Sequence, residues 1–319
     1  MVAQEEILED PVKEPQIQPK EELREINLGA ELGSQKPVFI NSQLIAQENE
    51  QLVALLKKYV DVFAWTYDKM LGLDPRLVVH SFNIDLGVKL VVQPARVFHT
   101  DVEAQITQEV KKLLAAGFIK PIQHPRWLSN IVPMKKKNDQ IRCCMDFRNL
   151  NKAYPKDEFP LPNVHLLVDS TARSSMFSFM DGYSRYNQIR MAAKDVEKAA
   201  FKTPIGNFYY TVIPFGLKIV GATYQRTMTT IFHDMMRKEM EDCVDDIVIK
   251  SKTRVGHFQI LEQVFERCRK YKLCMNPIKC AFGVSARKFL EFLVHHKGIS
   301  VDPAKAIAIA IMKRPITVR

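Results

Sequence analysis

An α+β fold is what the sequence predicts for this chain, and three observations carry that expectation. The segment Glu241 to Ser251, EDCVDDIVIKS, sets the β-branched residues Val244, Ile247, Val248 and Ile249 around two adjacent acids, a strand pattern interrupted by a turn. Other stretches repeat apolar residues every three or four positions, the signature of helices. Both kinds of segment are spread along 319 residues of which 46% are hydrophobic, enough for a core in one large or two ordinary domains.

Residues 1–25 hold eight acidic side chains, three basic ones and three prolines, a composition that cannot repay the entropy of ordering, so a disordered acidic lead-in is expected. From Ile45 to Val60 the positions Leu52, Val53, Leu56, Tyr59 and Val60 fall at helical spacing and run into Phe63, Trp65 and Tyr67. A second helix is expected from a cap at Thr100 or Asp101, through Val102, Ile106, Val110, Leu113 and Leu114, to a stop at Gly117.

A basic hairpin comes next. Asn130 to Met134 is apolar, Lys135, Lys136 and Lys137 follow, Asn138 and Asp139 supply turn chemistry, and Ile141 to Phe147 returns with Arg142 before Arg148. Such a hairpin suits a clamp on a triphosphate or a nucleic-acid backbone, and a solvated basic surface is the alternative. YPKDEFPLP (154–162) reads as an extended connector, and Ser174 to Asp181 as a strand ending in an acid before Gly182.

Asn207 to Ile213 is a further strand, running into Pro214-Phe215-Gly216-Leu217. A helix after Gly221 carries Tyr224, Met228, Ile231, Phe232, Met235 and Met236 and leads to the acidic hairpin. Another helix runs from Phe258 to about Tyr271, Lys288 to His295 forms a strand pair with Gly298 in its turn, and a short helix starts after Asp302-Pro303.

The net charge of +10 favours an acidic partner such as nucleic acid. No membrane span or secretory signal is expected: the longest apolar run near either end, Ala306 to Met312, is far short of the roughly 20 residues a span needs, and the N-terminus is acidic. The six cysteines (Cys143, Cys144, Cys243, Cys268, Cys274, Cys280) form no CxxC pair and no zinc spacing, which fits free thiols in an intracellular, cytoplasmic protein. Asp245 and Asp246 are two like charges between apolar runs. In a partly buried site they resist joint ionisation unless a cation lies between them, and such hard oxygen donors favour Mg²⁺ or Mn²⁺; a solvated Asp-Asp turn is the alternative.

Several fragments, in order, resemble one family. They are Trp127-Leu128-Ser129-Asn130, the lysine run, RCCMDFRNLNKAYPKDEFPLP (142–162), FMDGYSRYNQI (179–189), PFGLK (214–218), GATYQ (221–225), CVDD (243–246) and NPIKCAFG (276–283). From about Asn27 onward the chain is similar to the reverse transcriptase of gypsy-class long-terminal-repeat retrotransposons. The resemblance implies a right-hand polymerase whose antiparallel palm sheet is packed on helices. It places an N-terminal leader at 26–84, fingers and palm at 85–300, and the truncated start of a thumb at 301–319.

It also implies chemistry. Asp181, Asp245 and Asp246 would be the catalytic carboxylates holding two Mg²⁺ ions, with Mn²⁺ as a substitute. Lys136 and Arg142 would clamp the triphosphate of a dNTP. Tyr186 would exclude a 2′-hydroxyl, and Phe215, Gly216 and Gln225 would back the nascent base pair and template. Lys279 is a weaker candidate for protonating pyrophosphate. The partners implied are an RNA or DNA template with an annealed primer.

Four departures from the family pattern stand out. Cys243 replaces a tyrosine, Arg185 a glycine, Ile219-Val220 a polar and small pair, and Glu291 a glycine. Two functions of different class therefore stay open: an RNA-directed DNA polymerase, or a catalytically inactive retroelement remnant that binds nucleic acid.

Overall fold

The computed structural model describes residues 21–29, 33, 35–84, 87–135, 141–244, 246–290, 292–301 and 303–312. The chain starts with an antiparallel pair, β1 (Leu23–Asn27) and β2 (Pro37–Asn41), followed by α1 (Ala46–Lys58). Then come α2 (Thr100–Ala115), β3 (Ile119–Pro121), β4 (Ser129–Lys135), β5 (Ile141–Met145), α3 (Arg148–Lys152) and α4 (Val164–Thr171). The next elements are β6 (Met176–Met180), β7 (Ala200–Thr203), β8 (Gly206–Tyr210) and α5 (Val220–Phe232). After β9 (Met240–Cys243), β10 (Asp246–Ser251) and α6 (Arg254–Tyr271) come β11 (Ala281–Val284), β12 (Ala286–Phe289), β13 (Phe292–His295), β14 (Gly298–Val301) and α7 (Pro303–Ala310).

A six-stranded sheet in the order β1-β2-β11-β6-β10-β9 forms the centre. Its pairings are antiparallel except for β2 with β11. A five-stranded sheet, β3-β8-β7-β4-β5, holds the basic hairpin, and β12-β13-β14 makes a third sheet. The expected strand pair near the end of the chain is thus three-stranded. Gly298, at φ +142°, opens β14 opposite His295, because the reversal is completed by the two residues between them.

The acidic hairpin runs through a sheet covered on both faces. Strand alternation sends Met176, Met180, Ile247 and Ile249 into the larger core with Phe258 and Leu261 of α6. The intervening Phe177, Phe179 and Val248 pack with Leu167 and Val168 of α4. All five residues of β6 are buried, so the strand that ends beside Asp181 is fixed from above and below.

Helix ends follow local chemistry. The α2 helix starts with Thr100 already helical and His99 at the cap, where no side chain bonds back, so the expected cap sits one position late. It ends as expected. Gly117 adopts φ +71°, its N–H donates to Leu114 O, and the Phe118 N–H donates to Leu113 O, the paired closure of a left-handed stop.

On the α6 face His257 is fully buried and bridges two strands, its Nε2 at 2.8 Å from Ser178 Oγ and its Nδ1 at 3.0 Å from Ser251 Oγ. Burial, helped by the nearby Arg254 charge, pushes its pKa from 6.5 down to about 3. Between those values the unfolded chain holds a proton that the folded chain refuses, so stability falls as pH drops from about 6.5 to about 3. His257→Gln is expected to flatten the dependence of unfolding free energy on pH in that window by up to about 1.4 kcal/mol per pH unit. Urea unfolding at several pH values measures it, and an unchanged slope would show that His257 does not titrate on unfolding.

Among the described residues no helix is long and apolar enough to cross a membrane.

Candidate active site

Met180 faces Ile247 across the β6–β10 ladder. Carried one step further, that antiparallel register brings Asp181 level with Asp246, the exposed first residue of β10. Cys243 pairs with Asp246 to close the hairpin, and Val244 at its turn holds φ +55°. That conformation is uncommon for a β-branched residue. Asp245, Lys136 and Glu291 lie outside the described residues, and so does the side chain of Arg142, which occupies β5 opposite Met134.

Asp181 is 7% exposed, and both its carboxylate oxygens are engaged. Arg185 grips it with Nη2 at 2.6 Å from Oδ2 and Nε at 3.3 Å from Oδ1, while Lys279 Nζ stands 3.2 Å from Oδ2. The backbone carbonyl of Asp181 accepts the Asn276 N–H at 2.7 Å. The turn after Asp181 is pinned by Gln188, a fully buried side chain that sequence reasoning did not single out. Its Nε2 donates to the carbonyls of Tyr183 and Cys274, each at 2.8 Å, and its Oε1 accepts the Cys274 N–H. Nothing in local periodicity marks that glutamine, because its partners come from a distant stretch.

A second brace holds the hairpin. Gln225 on α5 is 3% exposed, donates from Nε2 to Asp242 Oδ2 at 2.7 Å, and accepts the Val244 N–H at 2.9 Å. Gln225 therefore acts on the turn between the acids rather than on open space. Asp242, its partner, was also not singled out from the sequence.

Aromatic residues shape the floor. Tyr186 meets Phe215 and Tyr224 edge-on, with ring centroids 5.2 and 5.7 Å away. Gly182 leaves room for this cluster, since a Cβ there would stand 2.7 Å from the Tyr224 hydroxyl. Gly216, at φ +99°, turns the 214–218 loop, and its carbonyl accepts from Asn151 Nδ2 at 2.8 Å. Lys218 completes the tie, donating from its backbone N–H to Asn151 Oδ1 and from Nζ to Tyr154 O. The fragments read as separate motifs thus interlock.

A cleft of about 320 Å³ lies over these groups, lined by Asp181, Gly182, Arg185, Asn187, Phe215 and Lys279 among others. Phe215 forms part of its wall, and Tyr186 packs against Phe215. Cys143 also lines it, but burial pushes that thiol up to about 12, far from a thiolate nucleophile. The cleft's usable chemistry is that of carboxylates and cations. Asp181 and Asp246 are hard oxygen donors on adjoining strands, a set that suits a divalent cation of the magnesium type. Among the described residues no cluster of three metal-binding side chains is found.

Residues 134–294 match the reverse transcriptase (RNA-dependent DNA polymerase) family. The chain belongs to that family. It is 29% identical over 265 residues to the retrovirus-related Pol polyprotein from transposon 412 of Drosophila melanogaster, covering 80% of this chain and 21% of the relative. Against the Pol polyprotein from transposon gypsy of the same fly the figures are 28% over 215 residues, 66% and 21%. The transposon Tf2-7 polyprotein of Schizosaccharomyces pombe is 31% identical over 165 residues, 52% of this chain and 12% of that one. This chain therefore spans about a fifth or less of the length of these curated relatives.

Among solved structures, the foamy viral protease-reverse transcriptase in complex with RNA/DNA hybrid superposes with a TM-score of 0.75 at 20% identity, over 86% of this chain and 36% of that one. The same viral protein in complex with dsDNA gives 0.74 at 21% identity, over 86% and 56%. The fold is accordingly the α+β reverse-transcriptase fold, with β6 and the β9–β10 hairpin adjacent in its largest sheet.

Proposed function

We propose that this chain is the fingers and palm of an RNA-directed DNA polymerase from a long-terminal-repeat retrotransposon. It would add deoxynucleotides to the 3′-hydroxyl of a primer annealed to an RNA or DNA template. The observation that carries the reading is the pairing of Met180 with Ile247, which sets Asp181 and Asp246 each one residue beyond it, with Asp181 lining a cleft of about 320 Å³. The net charge of +10 supports a nucleic-acid partner. Six free cysteines fit a reducing, cytoplasmic setting.

In this reading Asp181, Asp245 and Asp246 hold two Mg²⁺ ions, or Mn²⁺ in their place. Bound divalent ions supply charge stabilisation for the attacking and leaving oxygens. The protein's own groups do the rest. Gln225 fixes the turn that presents the acids, and Gln188 fixes the loop behind Asp181. Lys279, already beside that carboxylate, is placed to meet negative charge on a departing phosphate. Lys136 and Arg142 clamp the triphosphate, Phe215 and Gly216 back the base, and Tyr186 supports the surface under the sugar. Extension of a labelled primer on a homopolymer template, with Mg²⁺ or Mn²⁺, tests the proposal.

One observation favours a second reading. Arg185 neutralises Asp181, as a silent remnant that binds nucleic acid without extending it would tolerate. Primer–template binding with no extension under either metal would select that reading.

Tyr186→Ala is expected to admit ribonucleotides at least about tenfold more readily, because discrimination by exclusion ends when the excluding ring is gone. Incorporation of matched ribo- and deoxynucleotides measures it. Unchanged sugar selectivity would remove Tyr186 from the site.

A further inference from the structure

We propose that Arg185 is a tethered cation occupying the divalent-metal position at Asp181, so that metal binding here is a competition that the guanidinium must lose. The proposal rests on the polymerase reading of Asp181. Three features build the device. First, Ser184 and Arg185 hold consecutive left-handed conformations, φ +50° and +37°, so the chain doubles back on the acid four residues earlier. Second, that turn is pinned: Asn187 Nδ2 donates to Ser184 Oγ at 2.7 Å, and Gln188 ties the Tyr183 carbonyl to the 274 segment. Third, the arginine stem packs over Gly182, where an added Cβ would stand 3.7 Å from Arg185 Cγ, an ordinary contact.

The ion pair is sheltered, with side-chain exposures of 19% for Arg185 and 10% for Asp181. A two-pronged guanidinium–carboxylate contact in such a place is among the stronger charge-assisted pairs, and water screens it weakly. Lys279 adds a second positive charge at the same oxygen. A divalent ion approaching Asp181 therefore meets two cations, one of them chelating the carboxylate it needs. Lys279 contacts one oxygen only and leaves the other open. Arg185 touches both. Displacing the arginine, not the lysine, is the step that frees the carboxylate.

The full chain is titrated with Mn²⁺ alone, free ion being read by electron paramagnetic resonance, for the parent, Arg185→Met and Arg185→Gly. Each is repeated with Asp181→Asn, and circular dichroism checks the fold. Arg185→Met keeps the stem and backbone conformation but drops the charge; Arg185→Gly also relieves the backbone. Both are expected to bind Mn²⁺ at least about tenfold more tightly than the parent, a gain set by removal of the chelating guanidinium, and both gains should vanish with Asp181→Asn. Equal affinity in the parent and Arg185→Met overturns the proposal, as does a gain confined to Arg185→Gly, which would trace to backbone relief. If these outcomes come with affinity that still depends on Asp181, the polymerase reading survives. If Asp181→Asn changes no affinity at all, both fall.

Discussion

Asp181→Asn is expected to reduce primer extension at least about a thousandfold, a loss on the order of 4 kcal/mol in transition-state stabilisation. Asparagine keeps the shape and one acceptor oxygen but cannot carry the charge that a divalent ion needs. Primer–template affinity is expected to stay within about twofold, because phosphate contacts dominate that binding and a buried acid makes none. Single-turnover extension and filter binding at matched salt separate the two quantities. A variant that retained more than about a tenth of parental extension would remove Asp181 from the reacting centre. An equal loss of binding and extension would instead point to collapse of the 181–188 turn, because Arg185 within it and Lys279 from the distant 276–279 segment lose their shared partner.

The second large effect concerns stability. Lys250→Met is expected to cost about 3–5 kcal/mol, the usual penalty for stranding one member of a buried ion pair. Lys250 Nζ lies 2.7 Å from Glu241 Oε1, with side-chain exposures of 6% and 1%, and it also donates to the Ser170 carbonyl at 2.6 Å. The Ser170 hydroxyl donates to the same glutamate oxygen. The group ties α4 to both strands of the acidic hairpin, and removal of the ammonium leaves a carboxylate with no room to reach water. Adding Glu241→Leu to Lys250→Met is expected to recover most of the loss, since a well-packed apolar replacement of a buried pair is often neutral. Urea unfolding of the two single variants and the double variant closes the cycle. A single-variant cost below about 1 kcal/mol would mean that water enters beside Glu241.

Much of the local structure was legible in the string. Helices α2 and α6 form around the expected apolar spacing, whereas α5 stops at Phe232, short of Met235 and Met236, and the 154–162 connector stays outside helices and strands, where its prolines remove backbone donors. The acidic hairpin was readable because a β-branched run on one side of two acids leaves few alternatives to a strand and a turn. Other parts were hidden. The strands β1 and β2 carry no strong alternation and gain their place because β2 joins β11, more than two hundred positions later, and β1 pairs with β2. Glu241 and Lys250 look like ordinary surface charges in sequence, yet the ladder and α4 bury both.

The candidate site divides the same way. The acids, the glycines at 182 and 216 and the aromatic residues at 186 and 215 were visible as chemistry with a known use. Their alliances were not. Gln225, expected to back the nascent base pair and template, braces the hairpin turn through Asp242 and Val244. Arg185, visible in the sequence only as a departure from a glycine, pairs with the acid that the pocket needs.

By itself the amino-acid order determined where most helices and the acidic hairpin form and which reactive groups the chain owns, because periodicity, turn chemistry and charge act over a few neighbouring residues. Only the tertiary structure decided which charge faces which. Lys279 reaches Asp181 across 98 positions of sequence, and Gln188 reaches Cys274 across 86. Contacts of that span are set by strand register and by how loops close over a shared core, and neither is written in any local window of residues.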